Sequence, residues 1–143
     1  MSILRNSVLV IAALAAIGAA PALADAVKYK AELSGASEVP PTTSKGKGSI
    51  EATYDSASKT LTWSGSYAEL TGPATAAHFH GPAALGTNAG VLVPVDASAS
   101  PFKGSATLTP EQAQAFADGK VYFNIHTAAN KPGEIRGQLS QEK

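Results

Sequence analysis

All three histidines of the chain fall in two short segments, His78-Phe79-His80-Gly81-Pro82 and Asn124-Ile125-His126-Thr127. In an extended strand, successive side chains point to opposite faces. His78 and His80 then share one face while Phe79 takes the other. In the second segment Val121, Phe123 and Ile125 share a face, opposite Tyr122, Asn124 and His126. The apolar residues belong in a core, which leaves the three imidazoles together on the polar face. If the two strands are neighbours, three nitrogen ligands converge on one point. Neutral imidazole suits copper(II) and zinc(II), and copper binds nitrogen donors more tightly by the Irving–Williams order. The pattern predicts a metal site on His78, His80 and His126, with copper first and zinc second. Its bland counterpart is three half-exposed histidines bonded to nearby Gly/Pro loops.

Other chemistries have little support. The chain has no cysteine, so a blue-copper thiolate and a cysteine nucleophile are both excluded. There is no Gly-x-Ser-x-Gly elbow and no glycine loop for phosphate. Asp55 and Asp96 stand in turns without a paired carboxylate, so no glycosidase pair is readable. Glu134 and Arg136 flank Ile135 and are expected together on the solvent face of a last strand as an exposed ion pair, the other reading being a polar partner to the histidine face in which Glu134 orients an imidazole. Such an ion pair stabilises by about 0–1 kcal/mol. Tyr122 lies on the histidine face, where it either covers or ligates the metal or packs across strands.

Residues 1–24 read as a signal peptide. Arg5 is the positive start, Val8 to Ala20 the apolar run, and Ala22-Leu23-Ala24 the small-residue cleavage box. The run is about 13 residues, short of the roughly 20 that span a bilayer. The remainder, 25–143, is one domain's worth of chain, expected to be exported to a periplasm or secreted, without stable membrane insertion. The full chain has 11 basic and 11 acidic side chains, and neither sign forms a block. A nucleic-acid partner, which would need a basic stripe, is not expected.

The elements that must position the histidines are strands. Val27 to Leu33, Ser49 to Tyr54, Thr60 to Glu69 and Phe102 to Thr109 alternate apolar and polar residues. The second and third of these predict a hairpin around Asp55-Ser56-Ala57-Ser58. Ala74 to His80, Val91 to Val95, Lys120 to Thr127 and Glu134 to Leu139 complete the strands. Ser34 to Gly48 and Gly81 to Gly90 are loops broken by Pro40-Pro41, Gly81-Pro82 and Gly86. Thr109-Pro110-Glu111-Gln112 opens a short helix ending near Asp118-Gly119. The expected fold is all-β: a Greek-key-like sandwich or barrel of seven to eight short antiparallel strands with one short helix.

Three stretches also carry a resemblance. They are Tyr29-Lys30-Ala31-Glu32-Leu33-Ser34-Gly35 with Glu38-Val39-Pro40-Pro41, then Ala77-His78-Phe79-His80-Gly81-Pro82-Ala83, then Val121 to Thr127 leading into Pro132-Gly133-Glu134-Ile135-Arg136-Gly137-Gln138-Leu139. In this order and spacing the chain resembles the CHRD (chordin) domain family over about residues 27–140. The resemblance implies an extracellular or exported domain of no broadly established activity. Tandem copies in that family bind growth factors, a role that one copy without cysteine-rich neighbours does not inherit. Two functions follow. The first is an exported copper-binding β domain for metal storage, delivery or modest redox chemistry. The second is a non-catalytic module that binds an unidentified extracellular protein or a polysaccharide.

Overall fold

The computed structural model describes residues 25–143, with Gly18 the one isolated position before them. The leader read on residues 1–24 lies outside the described residues. Nine strands form in chain order: β1 (Ala26–Ser34), β2 (Lys47–Asp55), β3 (Thr60–Ala68), β4 (Ala74–His80), β5 (Val91–Val95), β6 (Phe102–Thr107), β7 (Tyr122–Thr127), β8 (Ile135–Gln138) and the two-residue β9 (Ser140–Gln141). One α-helix among the described residues, α1 (Pro110–Ala117), stands between β6 and β7, and a single 3-10 turn, Gly35–Ser37, follows β1. The expected all-β architecture is what the chain adopts.

The sheet runs β5-β4-β7-β8-β1-β2-β3-β6, with β9 beside β1. The pairings between them are antiparallel. The β4–β5 hairpin is carried away from β3 before the chain returns as β6 to pair with it. The long sheet curls on itself. Trp63 of β3 and Phe79 of β4 stand near opposite ends of the strand order, yet their rings meet at 5.4 Å. Phe102 of β6 likewise stacks on Phe123 of β7 at 5.8 Å. The result is a nearly closed barrel around a core that includes Leu33, Ile50, Leu61, Phe79, Phe123 and Ile135.

The helix plugs this core. Thr109 and Gln112 form the anticipated reciprocal cap, and Gly119 takes a left-handed φ of +69° just past the end. Phe116 sits between Tyr29 and Phe79, 5.5 Å from each ring. Burying such a ring stabilises by roughly 1.5–3 kcal/mol. On the edge strand β5, the Leu92 carbonyl accepts from the Gln112 side chain at 2.9 Å. The expected hairpin of β2 and β3 forms with unbroken register from Lys47↔Ala68 to Asp55↔Thr60.

Candidate metal centre

Strands β4 and β7 are neighbours, as convergence of the histidines requires. His78 lies opposite Asn124 and His80 opposite Tyr122, while His126 faces Ala76. Phe79, Phe123 and Ile125 are fully buried in the core. Alternation therefore sends His78, His80, Asn124 and His126 to the other face together. One ring nitrogen from each histidine lies within 4.8 Å of one from each of the others. The three residues singled out from the sequence are brought together, and the cluster could hold a metal ion.

The rings are fixed by their second nitrogens. His80 Nδ1 lies 3.0 Å from the Ala89 carbonyl, and His126 Nδ1 lies 2.7 Å from that of Lys131. His78 Nδ1 meets His126 Nε2 at 3.1 Å. Donating one ring N–H to a carbonyl while offering the other nitrogen is how metal-ligating histidines are usually oriented. Burial lowers the pKa of His78, and the neighbouring His126 and His80 lower it further. For His80 burial again dominates; the acceptors Ala89 and Asn124 oppose it, while His126 and Arg136 add to it. Both rings are thus biased toward the neutral form that ligates. A groove lined by Ala74, Ala76, His78, Asp96 and Ser98 leads solvent to the edge of the cluster.

This polar face is not a solvent face. Loops 35–46, 81–90 and 128–134 fold over it and make a second, polar layer of burial. One expectation is corrected here, while Tyr122 packs across strands as one of its readings had it. Glu134 and Arg136 are not an exposed ion pair: they are 0% and 2% exposed, and no ion pair joins them. Tyr122 is buried too. Its ring stacks on His80 at 4.8 Å with planes 5° apart, and the Arg136 guanidinium lies 3.4 Å above the tyrosine ring centre. Tyr122 Oη donates to the Ala89 carbonyl at 3.2 Å, while Arg136 donates to Asn88 Oδ1 at 2.8 Å and to the Thr87 carbonyl. Alternation placed these side chains opposite the core. It had no way to show that distant loops would cover them.

Two buried glutamates close the layer. Glu134 accepts from the hydroxyls of Thr71, Thr127 and Ser44, the Thr71 N–H and the Asn130 amide. Burial alone would raise its pKa, but donors from Thr71, Thr127 and Ser44 outweigh it and bring the value down to about 2. Glu38, 4% exposed, is the opposite case, because its Oε1 has no hydrogen-bond partner. Burial raises its pKa to about 7, although Arg136, Asn124 and the Val39 backbone all pull it down. Sequence reading assigned Glu38 no role. Its one signal was a lone acid set against Val39-Pro40-Pro41.

The structure thus defines a small antiparallel β domain with one histidine-bearing, loop-covered polar face. The CHRD domain family model matches residues 29–139, and the chain belongs to that family. Comparison with curated proteins and with solved structures finds no match.

Proposed function

We propose that this chain is an exported metal-binding domain that holds copper(II), with zinc(II) as second choice, on His78, His80 and His126. One observation carries the reading: three imidazoles converge within 4.8 Å, and two of them have Nδ1 committed to backbone carbonyls. That commitment leaves their Nε2 atoms without hydrogen, each with a lone pair to offer a cation. Storage or delivery fits the buried setting, with modest redox chemistry at the ion as the alternative. Export rests on the leader-like residues 1–24. Mass spectrometry of secreted protein should find a chain that begins at Asp25.

Titration of residues 25–143 with copper(II) at pH 7.5 tests the site. One equivalent should bind, and His78→Ala, His80→Ala and His126→Ala should each weaken binding by about tenfold or more. Protons compete for imidazoles whose free pKa is near 6.5, and burial lowers two of them further. Affinity should therefore hold at neutral pH and fall steeply below about pH 6. Three variants that bind copper like the parent would remove the metal reading and leave the protein- or polysaccharide-binding module in its place.

A further inference from the structure

The hydrogen bonds around the histidines leave one pair of atoms without a hydrogen to share. A carbonyl oxygen only accepts, so His80 Nδ1 beside the Ala89 carbonyl and His126 Nδ1 beside that of Lys131 both carry hydrogen. In each neutral ring Nε2 is then a bare acceptor. For His126 this is satisfied, because His78 Nδ1 can donate to it. For His80 it is not, because Nε2 faces Asn124 Oδ1, another acceptor, at 3.0 Å. Turning the Asn124 amide does not relieve the conflict. Its Nδ2 points to the Pro132 carbonyl at 3.4 Å and lies beside the Glu38 carboxyl, so a flip would set Oδ1 against that carbonyl and, whenever Glu38 is ionised, against its carboxylate as well. Asn124 is 3% and His80 9% exposed, so bulk water does not fill the gap. Two buried lone pairs aimed at each other are costly unless a positive charge serves both.

We propose that Asn124 Oδ1 is the fourth ligand of the metal, completing a set of three imidazole nitrogens and one amide oxygen. The inference rests on the three-histidine reading and extends it. The register supports it. His78 and Asn124 are direct cross-strand partners, with His80 one step along β4 and His126 one step the other way along β7. The four side chains form a compact parallelogram on one face. Two donors each about 2.0–2.1 Å from one ion, at a right angle to each other, stand about 3 Å apart. His80 Nε2 to Asn124 Oδ1 is 3.0 Å and His78 Nδ1 to His126 Nε2 is 3.1 Å. Two opposite sides of the parallelogram already have the spacing of adjacent ligands. On binding, His78 Nδ1 gives up its contact with His126 and the ring carries its hydrogen on Nε2 instead.

Copper(II) binding followed by electron paramagnetic resonance tests the assignment on the parent, Asn124→Asp and Asn124→Ala. N124D keeps an oxygen donor and should bind within about tenfold of the parent, with a shifted copper hyperfine splitting. N124A should bind about tenfold or more weakly. Its vacated position should admit azide, read as a new azide-to-copper absorption band that the parent lacks. Should N124A not fold, the N124D spectrum decides: a shift supports ligation, and a spectrum identical to the parent's overturns it. N124A with parental affinity and spectrum also overturns it, and means that a proton on His80 satisfies the pair. Loss of binding in the three histidine variants beside a parent-like N124A sinks this inference alone. A parent that takes up no copper sinks the three-histidine reading and this one with it.

Discussion

Glu38 and Glu134 are both buried glutamates on the covered polar face, and they are held in opposite ways. Glu134 gathers donors from Ser44, Thr71, Thr127 and Asn130, which lie in the loops before β2 and β4, at the end of β7 and in the turn before β8. Its charge is spread over neutral donors, and its pKa falls to about 2. Glu38 has an oxygen with no partner and a pKa raised to about 7, although Arg136 is near enough to lower it. Equal burial therefore does not mean equal cost: the number of donors within reach decides whether a buried carboxyl is a clasp or a liability. The clasp joins the loops 35–46 and 128–134 to the turn before β4. The unsatisfied acid stands beside Asn124, next to the histidine cluster.

The largest effect should come from the clasp. Glu134→Ala removes one acceptor and strands up to five donors, each costing about 1–3 kcal/mol if left unmet. Relaxation and entering water will recover part of this, so a net loss of about 3–5 kcal/mol is expected in urea unfolding. A loss under about 1 kcal/mol would show that the loops hold without it.

Next in size is the contact between Glu38 and Gly133. Gly133 has φ +134°, and a Cβ there would land on Glu38 Oε1 and close to Asn124 Nδ2. Gly133→Ala should cost about 2–4 kcal/mol from backbone strain and this clash. Adding Glu38→Ala should return part of it, measured as a coupling energy in a double-mutant cycle. Strict additivity would mean that the carboxyl and the glycine do not press on each other.

The smallest effect is the most diagnostic, because the two acids respond to pH with opposite sign. Glu38 is protonated more readily folded than unfolded, so its contribution to stability declines as pH rises from about 4.5 to about 7 and is flat above. Glu134 is protonated less readily folded, so its contribution is complete above about pH 4.5 and is lost as pH falls toward about 2. Glu38→Gln should therefore stabilise the domain by about 1–3 kcal/mol at pH 8, and by little at pH 4.5. Chemical unfolding at the two pH values measures it, and an equal change at both would refute the raised pKa.

Much of the architecture was legible because it depends on local pattern. Alternation in Val27–Leu33, Ser49–Tyr54 and Thr60–Glu69 marks half-buried strands, and Thr109-Pro110-Glu111-Gln112 announces its own cap. The face shared by His78, His80 and His126 followed from the same period of two. Glu134 and Arg136 were misplaced for the same reason: alternation separates two faces but cannot say what lies above either. Both were assigned to water because they are charged and stand opposite Ile135.

The sequence by itself determined which residues share a face, where strands break, and that no thiolate is available to any metal. Those properties are set within a few residues by backbone geometry and composition. Only the tertiary structure decided that β4 lies beside β7, which turns two separate histidine motifs into one cluster. It alone folded the loops at 35–46, 81–90 and 128–134 over that cluster, burying Arg136, Tyr122, Glu38 and Glu134. Strand order and loop cover arise from contacts between residues far apart in the chain, such as the Thr42 hydroxyl on the Glu134 carbonyl, 92 positions away. No local window of the chain contains both partners of such a contact.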